Sequence, residues 1–446
     1  TESIDTIVAL ATEHGSAGVG IVRVSGPLAK NIGDALTKKP LPTRFALHTH
    51  LYDALGEVLD DAVVLYFQGP HSYTGEDVLE LQAHGKPSLL NALLRECKGL
   101  GAREARPGEF TERAFLNDKL DLAQAEAVAD LIAAQSETAA RAARRSLDGV
   151  FSKRCDEVAE KMVHARVYVE AALDFPDEEI DFLAAPEIQN LLHRCQSDLT
   201  QLRHEAEQGK RLMDGLHVVI VGAPNAGKSS LLNALAGSDR AIVTDIAGTT
   251  RDVLRETIQV DGLWLTLVDT AGLRESDEIV EAEGIRRARN ELDKADLILA
   301  VLDDSLQNHN ELSAELKNYT GSILWLHNKA DLTGHHIMRE QQKDGMHVWL
   351  SAKSGEGLDF LRQELARAAG MGEAGSGSFS ARVRHLEALA LADEHLQRAV
   401  LLCNQAQAEL AAEELRLGHN ALGSITGHMD ADALLGKIFS SFCIGK

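Results

Sequence analysis

The sequence predicts a multidomain chain of mixed class: an α+β domain, an all-α helical bundle and a doubly wound α/β domain. Three observations predict it. Residues 1 to about 117 alternate short β-type runs with turn signals. At Lys119 the composition turns abruptly to alanine-rich, glycine-poor segments with helical spacing. From about residue 215, apolar runs of the buried parallel type alternate with helical segments. With 446 residues the chain exceeds one ordinary core, and its length suggests roughly three domains.

In the first segment, TIVALAT, VGIVRVSG, DDAVVLYF and DVLELQAHG read as strands. Pro27 and Pro87 mark helix starts, proline being favoured at a first helical position. Beyond it, Leu120, Ala123, Ala127 and Leu131 recur at helical spacing, with Val128 and Ile132 beside them. Helices then continue to about Lys210, broken by the acidic turn LDFPDEEID at 173–181. HVVIVG, TLVDTAG, LILAVLD, ILWLHNKAD and VWLSAK are the strands of the α/β domain, and the AGSGS stretch at 374–378 ends it. The tail from Arg382 is helical and closes with SSFCIGK. The boundaries are therefore 1–117, 118–214, 215–372 and 373–446. Helices flank the α/β domain on both sides, so it reads as inserted into one helical domain. The alternative is two separate helical pieces.

A composition of 44% apolar and 25% charged residues is that of a folded globular chain. The formal net charge of −23 excludes a protein that grips nucleic acid by bulk positive charge, so any RNA contact needs a local patch or a partner. No apolar run approaches the ~20 residues of a membrane span, and TESIDTIVALATEHG lacks the features of a signal peptide. The five scattered cysteines, without a C-x-x-C, fit reduced thiols and not a zinc site or disulfide frame. Together these features predict a cytoplasmic protein. Arg141, Arg144 and Arg145, joined by Lys153 and Arg154, form a basic stripe that reads as a solvated face or partner contact, with tRNA phosphate as the sharper alternative.

Chemistry concentrates in the α/β domain. GAPNAGKS, Gly222 to Ser229, fits G-x-x-x-x-G-K-[ST] between a strand and a helix. Backbone N–H groups of such a loop cradle phosphates, Lys228 reaches the β/γ-phosphates, and Ser229 supplies a magnesium ligand. Asp269 ends a strand in DTAG and suits magnesium contact through water. NKAD, 328–331, matches the guanine-reading N-K-x-D, in which Asp331 accepts from the ring N–H and exocyclic amine that guanine presents and adenine does not. Ser351, Ala352 and Lys353 match the loop that supports the base. TDIAGTTRD, 244–252, reads as the first switch segment, with Thr250 a second magnesium ligand. Each match alone is modest; four at this spacing specify GTP and not ATP. The contact set expected is Asn225, Ala226, Gly227, Lys228, Ser229, Ser230, Thr244, Asp245, Ile246, Ala247, Gly248, Thr249, Thr250, Asp269, Thr270, Ala271, Gly272, Asn328, Lys329, Asp331, Ser351, Ala352 and Lys353. One feature is discordant. Small GTPases orient the attacking water with a glutamine after DTAG, and here Leu273 occupies that position.

The order of these motifs, with PNAGKSSLLN and AGTTRD, resembles the translation-associated GTPases of the Era and EngA type. RPGEFTERAFLNDKLDLAQAEAVADLI, 106–132, and the terminal FCIGK narrow the resemblance to the MnmE (TrmE) family of tRNA modification GTPases, and it runs from RVSGP, 23–27, to the last residue. The N-terminal loop ATEHGSAGVG departs from the proline- and glycine-rich version frequent in that family. The resemblance implies an N-terminal α+β domain that dimerises and binds a tetrahydrofolate derivative, a helical domain, and an inserted P-loop GTPase domain. It implies a homodimer that works with the flavoprotein MnmG, which carries FAD. The pair would install an aminomethyl-type group (carboxymethylaminomethyl) on C5 of the tRNA wobble uridine, with a 5-formyl- or methylene-tetrahydrofolate as one-carbon source.

The resemblance also assigns residues. Folate contacts fall on Arg23, Glu80, Lys119 and the terminal Lys446. One carboxylate, Glu80, would accept the adjacent amide and amine of a pterin ring, while Arg23 and Lys119 would answer its carbonyls and glutamyl carboxylates. Potassium ligands fall on Asn225, Thr244, Ile246 (through its carbonyl) and Thr249, giving K+ the charge-neutralising place of an arginine finger. The water-orienting acid falls on Glu281, twelve residues after Asp269, with Glu278 and Glu283 as neighbours. Together with potassium it would replace the glutamine missing at Leu273. Catalytic roles are thus expected of Glu281, Lys228 and, in the modification chemistry, Cys443. A reading of another class, a ribosome-assembly GTPase acting as a binding switch, shares the G motifs. The folate signature and FCIGK favour the enzyme, and no KH-like GXXG segment supports the switch.

Overall fold

The computed structural model describes residues 5–13, 15–134, 136–174, 186–236, 255–260, 263–269, 290–306, 309–317, 319, 321–369, 379–427, 438, 442 and 445. It divides into two compact units, one of residues 1–129, 146–198 and 388–446 and the other of 130–145 and 199–387.

The first unit carries a six-stranded sheet in the order β3-β4-β5-β2-β1-β6. Its strands are β1 (Ile7–Leu10), β2 (Ala17–Ser25), β3 (Leu47–Tyr52), β4 (Val58–Phe67), β5 (Val78–Gly85) and β6 (Arg103–Glu104). All neighbours are antiparallel except β1 and β6. Strict alternation sorts the two faces. Val8, Val22, Val24, Leu79 and Leu81 pack with α1 (Ala29–Thr37) and α2 (Pro87–Gly99) through Ile32, Leu36, Leu90 and Leu93. The other face holds Ile7 and Ala9, covered by Phe110 of α3 (Glu109–Leu116). Pro87 opens α2 as expected, but α1 starts at Ala29 and not at Pro27, because residues 26–29 form a turn in which the Ala29 N–H donates to the Gly26 carbonyl. The strand β3 had no clear sequence signal: LHTHLY is an edge strand with exposed His48 and His50.

Helices follow: α4 (Leu122–Ala133), α5 (Glu137–Leu147), α6 (Val150–Asp174) and α7 (Pro186–Asp214). On α6, Phe151, Cys155, Val158, Met162, Ala165 and Val169 are buried, a three-four spacing that makes one apolar stripe. The stripe packs against the helix Ala408–Thr426, where Gly418 lies beside Met162. Ile132, beside the residues at helical spacing on α4, is exposed. Phe442 and Ile438 of the terminal segment pack on Leu122 and Ala125. The four cysteines Cys97, Cys155, Cys195 and Cys403 are buried thiols outside any disulfide, and burial pushes Cys97 and Cys195 up to about 12.

The second unit carries a seven-stranded sheet, β12-β13-β11-β10-β7-β9-β8. It comprises β7 (Leu216–Gly222), β8 (Arg255–Val260), β9 (Leu263–Asp269), β10 (Leu297–Asp303), β11 (Ser322–Asn328), β12 (Arg339–Gln342) and β13 (Gly345–Trp349). The five strands expected from their apolar runs are parallel; the two edges, β8 and β12, are antiparallel. The edges escape sequence reading because RETIQV and REQQ are polar, as edge strands tend to be. Apolar clusters cover both faces of the sheet, one on Val218, Ile220 and Leu299, the other on Val219, Ile298 and Trp325. β7 lies between β9 and β10, so the chain reverses its direction across the sheet there, and the crevice outside the carboxyl ends of β7 and β10 is the switch point.

Candidate functional sites: a nucleotide loop and an N-terminal cavity

Every described G motif lies at a carboxyl end of this sheet. The GAPNAGKS loop follows β7 and runs into α8 (Lys228–Ala236), whose first N–H groups have no partner within the helix. Asn225 takes a left-handed φ of 64° and is exposed, as are Ser229 and Ser230. Lys228 is 6% exposed, and its Nζ donates to the carbonyls of Gly222 (2.9 Å) and Ala223 (3.0 Å), so the loop curls around the ammonium. A curl of this kind turns amides and one cation toward the same point, which fits a phosphate. Gly227 is required twice over: its φ is +95°, and a Cβ there would stand 2.1 Å from Asn328 Nδ2. The backbone of Asp269 ends β9 in register with Ile220 of β7, two residues before the loop.

Asn328 ties the motifs together. It is 2% exposed; its Nδ2 donates to the Ala226 carbonyl at 2.8 Å, and its Oδ1 accepts from the Ala352 N–H at 3.0 Å. One buried amide therefore links the phosphate loop, NKAD and the SAK loop. Lys329 has a left-handed φ of 68°, and its Nζ donates to Asp303 Oδ2 at 2.6 Å. Burial alone would raise the Asp303 carboxyl, but hydrogen bonds from Lys329 and Ser305 outweigh it and hold it below its ordinary value. Asp331 sits exposed in the first turn of the short helix Ala330–Thr333, with no partner for its carboxylate among the described residues, as a guanine reader requires. Ser351 and Ala352 are buried and Lys353 is exposed.

Sequence reading missed the support behind NKAD. His327 Nε2 and His347 Nδ1 share a 2.9 Å hydrogen bond, with Asp304 Oδ1 3.5 Å from His327 and Asp344 Oδ1 3.1 Å from His347. Trp349 stacks on His327 at 4.3 Å and Trp325 on His347 at 5.8 Å. The only sequence signal is the alternation of aromatic residues in LWLHN and HVW, which is indistinguishable from ordinary strand filling.

In the first unit the β2–β5 register sets Arg23 directly opposite Glu80, on the sheet face away from the two-helix core. Arg23 Nε and Nη2 both reach Glu80 Oε1, at 3.0 and 2.9 Å, leaving Oε2 without a partner among the described residues. The guanidinium lies 5.7 Å from the Tyr73 ring centroid and 5.8 Å from that of Phe110. Its Nη1 also donates to the Gly445 carbonyl at 3.4 Å, which brings the terminal motif beside it. Glu80 and Lys119 line a cavity of about 370 Å³ together with Arg44, Phe67, His71, Ser72, Tyr73 and Val78. Three of the four expected folate residues thus come together, though no motif joins them in sequence.

The segment that carried the resemblance, RPGEFTERAF, builds scaffold. Glu109 is 2% exposed and accepts from Arg103 at 2.5 and 2.8 Å and from Arg113 at 3.3 Å. Arg113 also reaches Glu76 at 3.1 Å, and Glu76 takes the Ser25 hydroxyl at 2.6 Å, which fixes the base of the loop bearing His71 to Tyr73. Arg141 of the basic stripe is exposed and pairs with Glu137 at 2.5 Å, one turn away on α5, the arrangement of a solvated helix face. Several expected site residues lie outside the described residues: Glu281, Thr244, Asp245, Ile246, Ala247, Gly248, Thr249, Thr250, Thr270, Ala271, Gly272, Leu273, Cys443 and Lys446, with the side chain of Asp269.

A mostly parallel sheet with a phosphate loop at its switch point, bound through one amide to an N-K-x-D loop, defines a P-loop GTPase. The relatives narrow the class. A tRNA modification GTPase MnmE of Xanthomonas campestris pv. campestris (strain B100) is 55% identical, covering 100% of this chain and 99% of its own length. One of Stutzerimonas stutzeri (strain A1501) is 54% identical over 99% of each. Residues 122–443 match the model of the MnmE helical domain and residues 6–119 that of the GTP-binding protein TrmE N-terminus. The chain belongs to the MnmE family of tRNA modification GTPases. It is therefore a GTP-hydrolysing enzyme that acts on tRNA and binds GTP with magnesium. Among solved structures, the G domain of the T. maritima FeoB iron transporter is 27% identical, covers 34% of this chain and 98% of that chain, and gives a TM-score of 0.27. Among the described residues no helix is long and apolar enough to cross a membrane.

Proposed function

We propose that this chain couples potassium-dependent GTP hydrolysis to the transfer of a tetrahydrofolate one-carbon unit onto C5 of the tRNA wobble uridine. It does so in the cytoplasm as a homodimer, with a flavoprotein partner of the MnmG type that carries FAD. The carrying observation is that Glu80 and Lys119 line one cavity while Arg23, paired with Glu80, reaches the terminal Gly445 carbonyl. Residues 1–117 form the folate-binding domain, 118–214 and 373–446 one helical domain, and 215–372 the G domain inserted in it.

Each group has a physical task. The loop amides and Lys228 hold the phosphates, and Asp331 accepts the guanine amide edge while Asn328 keeps its loop in place. Magnesium, held by Ser229 and Thr250 with Asp269 behind a water, neutralises phosphate charge. Potassium on Asn225, Thr244, Ile246 and Thr249 supplies the charge an arginine finger would bring. The exposed, left-handed Asn225 fits that ligand role. Glu281 orients the attacking water in place of the glutamine missing at Leu273. In the cavity, the free Oε2 of Glu80 accepts a pterin N–H, Lys119 and Lys446 answer the ligand's anionic end, and Cys443 serves the modification chemistry.

Two measurements test this reading. Nucleoside analysis of tRNA from cells lacking the protein is expected to show unmodified wobble uridine; a fully modified pool overturns the assignment. Titration of the purified chain with 5-formyl-tetrahydrofolate is expected to show saturable binding that Arg23→Ala weakens; absence of binding removes folate from the scheme.

A further inference from the structure

The N-terminal cavity holds two cations that no carboxylate among the described residues answers. Glu80 is already neutralised by Arg23. Lys119 Nζ donates to the Pro70 carbonyl at 3.0 Å, and Arg44 Nη2 donates to the His71 carbonyl at 2.6 Å. Neither has an acidic partner among the described residues, in a chain with 68 acidic and 45 basic side chains. With Arg23 and Glu80 cancelling, the wall is left positive.

The position of Arg44 is over-determined. Its φ of 56° is left-handed, a conformation that a non-glycine residue keeps only where its surroundings impose it. The surroundings do so here: the Arg44 N–H donates to the Tyr66 carbonyl at 2.8 Å, and the preceding Thr43 bridges to Tyr66. The guanidinium lies 6.0 Å from the Phe67 ring centroid. With Nη2 on His71, Nε and Nη1 have no partner among the described residues. A guanidinium held beside a cavity through Nη2 keeps N–H donors on either side of that bond for the oxygens of an anion, and Lys119 adds a point charge. Phe67, Tyr73 and Val78 give the same cavity an aromatic and apolar wall suited to a flat ring.

We propose that Arg44, with Lys119, forms an anion subsite of this cavity that binds the glutamyl carboxylates of a reduced folate and selects glutamylated forms. The inference rests on the folate reading above and adds to it a residue and a specificity. None of the motifs singles out Arg44, because PTRFA carries no pattern.

The test is calorimetry on the full chain with two ligands, 5-formyl-tetrahydrofolate and the corresponding tetrahydropteroate that lacks glutamate. Arg44→Gly is the informative variant, since glycine adopts φ near +60° readily and leaves the turn intact; its thermal midpoint checks the fold, and Arg44→Lys keeps charge without the fork. Arg44→Gly is expected to weaken the glutamylated ligand by roughly ten- to a hundredfold, the range of a charge-assisted contact, and to leave the pteroate within about twofold of the wild type. Arg44→Lys is expected to fall between. Equal losses for both ligands, or no loss for either, overturn the subsite. If Glu80→Ala weakens both ligands while the Arg44 variants bind as wild type does, only this inference fails. If the wild type binds neither ligand, the folate reading fails and takes the subsite with it.

Discussion

The nucleotide loop and the N-terminal cavity reach their polar geometry by opposite routes. In the nucleotide site one buried amide, Asn328, serves the Ala226 carbonyl and the Ala352 N–H, and backbone groups do most of the rest. In the cavity, side chains do the work: Arg23 on Glu80 across two strands, and Arg44 and Lys119 on loop carbonyls. A site made of backbone at strand ends needs a fixed local order of small and polar residues, so it leaves contiguous motifs. A site made by strand register needs only the right residue on each strand. The first kind is rigid and intolerant of substitution at its joints. The second is open to retuning one side chain at a time.

The comparison can be broken at several points, taken from the largest expected effect downward. Glu281→Ala is expected to keep GTP affinity but lose turnover by ~10²–10⁴-fold, the worth of a positioned general base or water orienter. In the wild type, turnover is expected to fall strongly when sodium replaces potassium, and Asn225→Ala to erase most of that difference. Steady-state assays in the two salts decide it; a near-normal Glu281→Ala rate leaves Leu273 unexplained.

Asn328→Ala leaves two buried backbone groups unsatisfied, at about 1–3 kcal/mol each. GTP affinity is thus expected to fall by more than tenfold, measured by fluorescent-nucleotide titration, with folate affinity unmoved. A change in both would mean that the two sites are not independently built.

Glu80→Ala is expected to weaken reduced-folate binding at least several-fold, with GTP affinity as the control that a general loss of fold would move. Arg23, once unpaired, is then free to engage a ligand anion, so the loss should be smaller for a glutamylated ligand than for one without glutamate. Calorimetry with both ligands measures the ratio.

The smallest effect concerns Asp303, whose carboxyl is held below its ordinary value by Lys329 and Ser305. A carboxylate lowered in the folded state adds stability above the unfolded value near 3.8 and loses it as the pH falls through the folded value. Asp303→Asn is therefore expected to cost about 1 kcal/mol at neutral pH, with a difference from wild type that shrinks below about pH 4. Urea titrations at pH 7 and pH 3 check the sign; a constant difference would show that packing, not charge, is lost.

How legible the molecule was in its sequence follows the same divide. GAPNAGKS, NKAD and SAK could be read because each is a run of neighbours whose residue types answer one local demand, as Gly227 does where a Cβ would strike Asn328. The five parallel strands were legible because burial on both faces makes them continuously apolar; β3, β8 and β12 were not, because an edge strand needs no such run. Arg23, Glu80 and Lys119 were reached only through likeness to a family. By physics alone they are three scattered charges, brought together by the pairing of Arg23 with Glu80 in the β2–β5 register and by the turn that carries Lys119 to the Pro70 carbonyl.

The sequence by itself determined that the chain carries the phosphate-loop and guanine-type motifs of a GTPase and α+β, helical and α/β parts, since local backbone chemistry and hydrophobic period are written in consecutive residues. Only the tertiary structure decided that one amide joins three loops, that RPGEF is an ion-paired scaffold around the buried Glu109, and that Arg44 stands at the same cavity as Glu80. Those relations depend on strand register and long-range contact, and residues tens of positions apart carry no mark of which of them will meet.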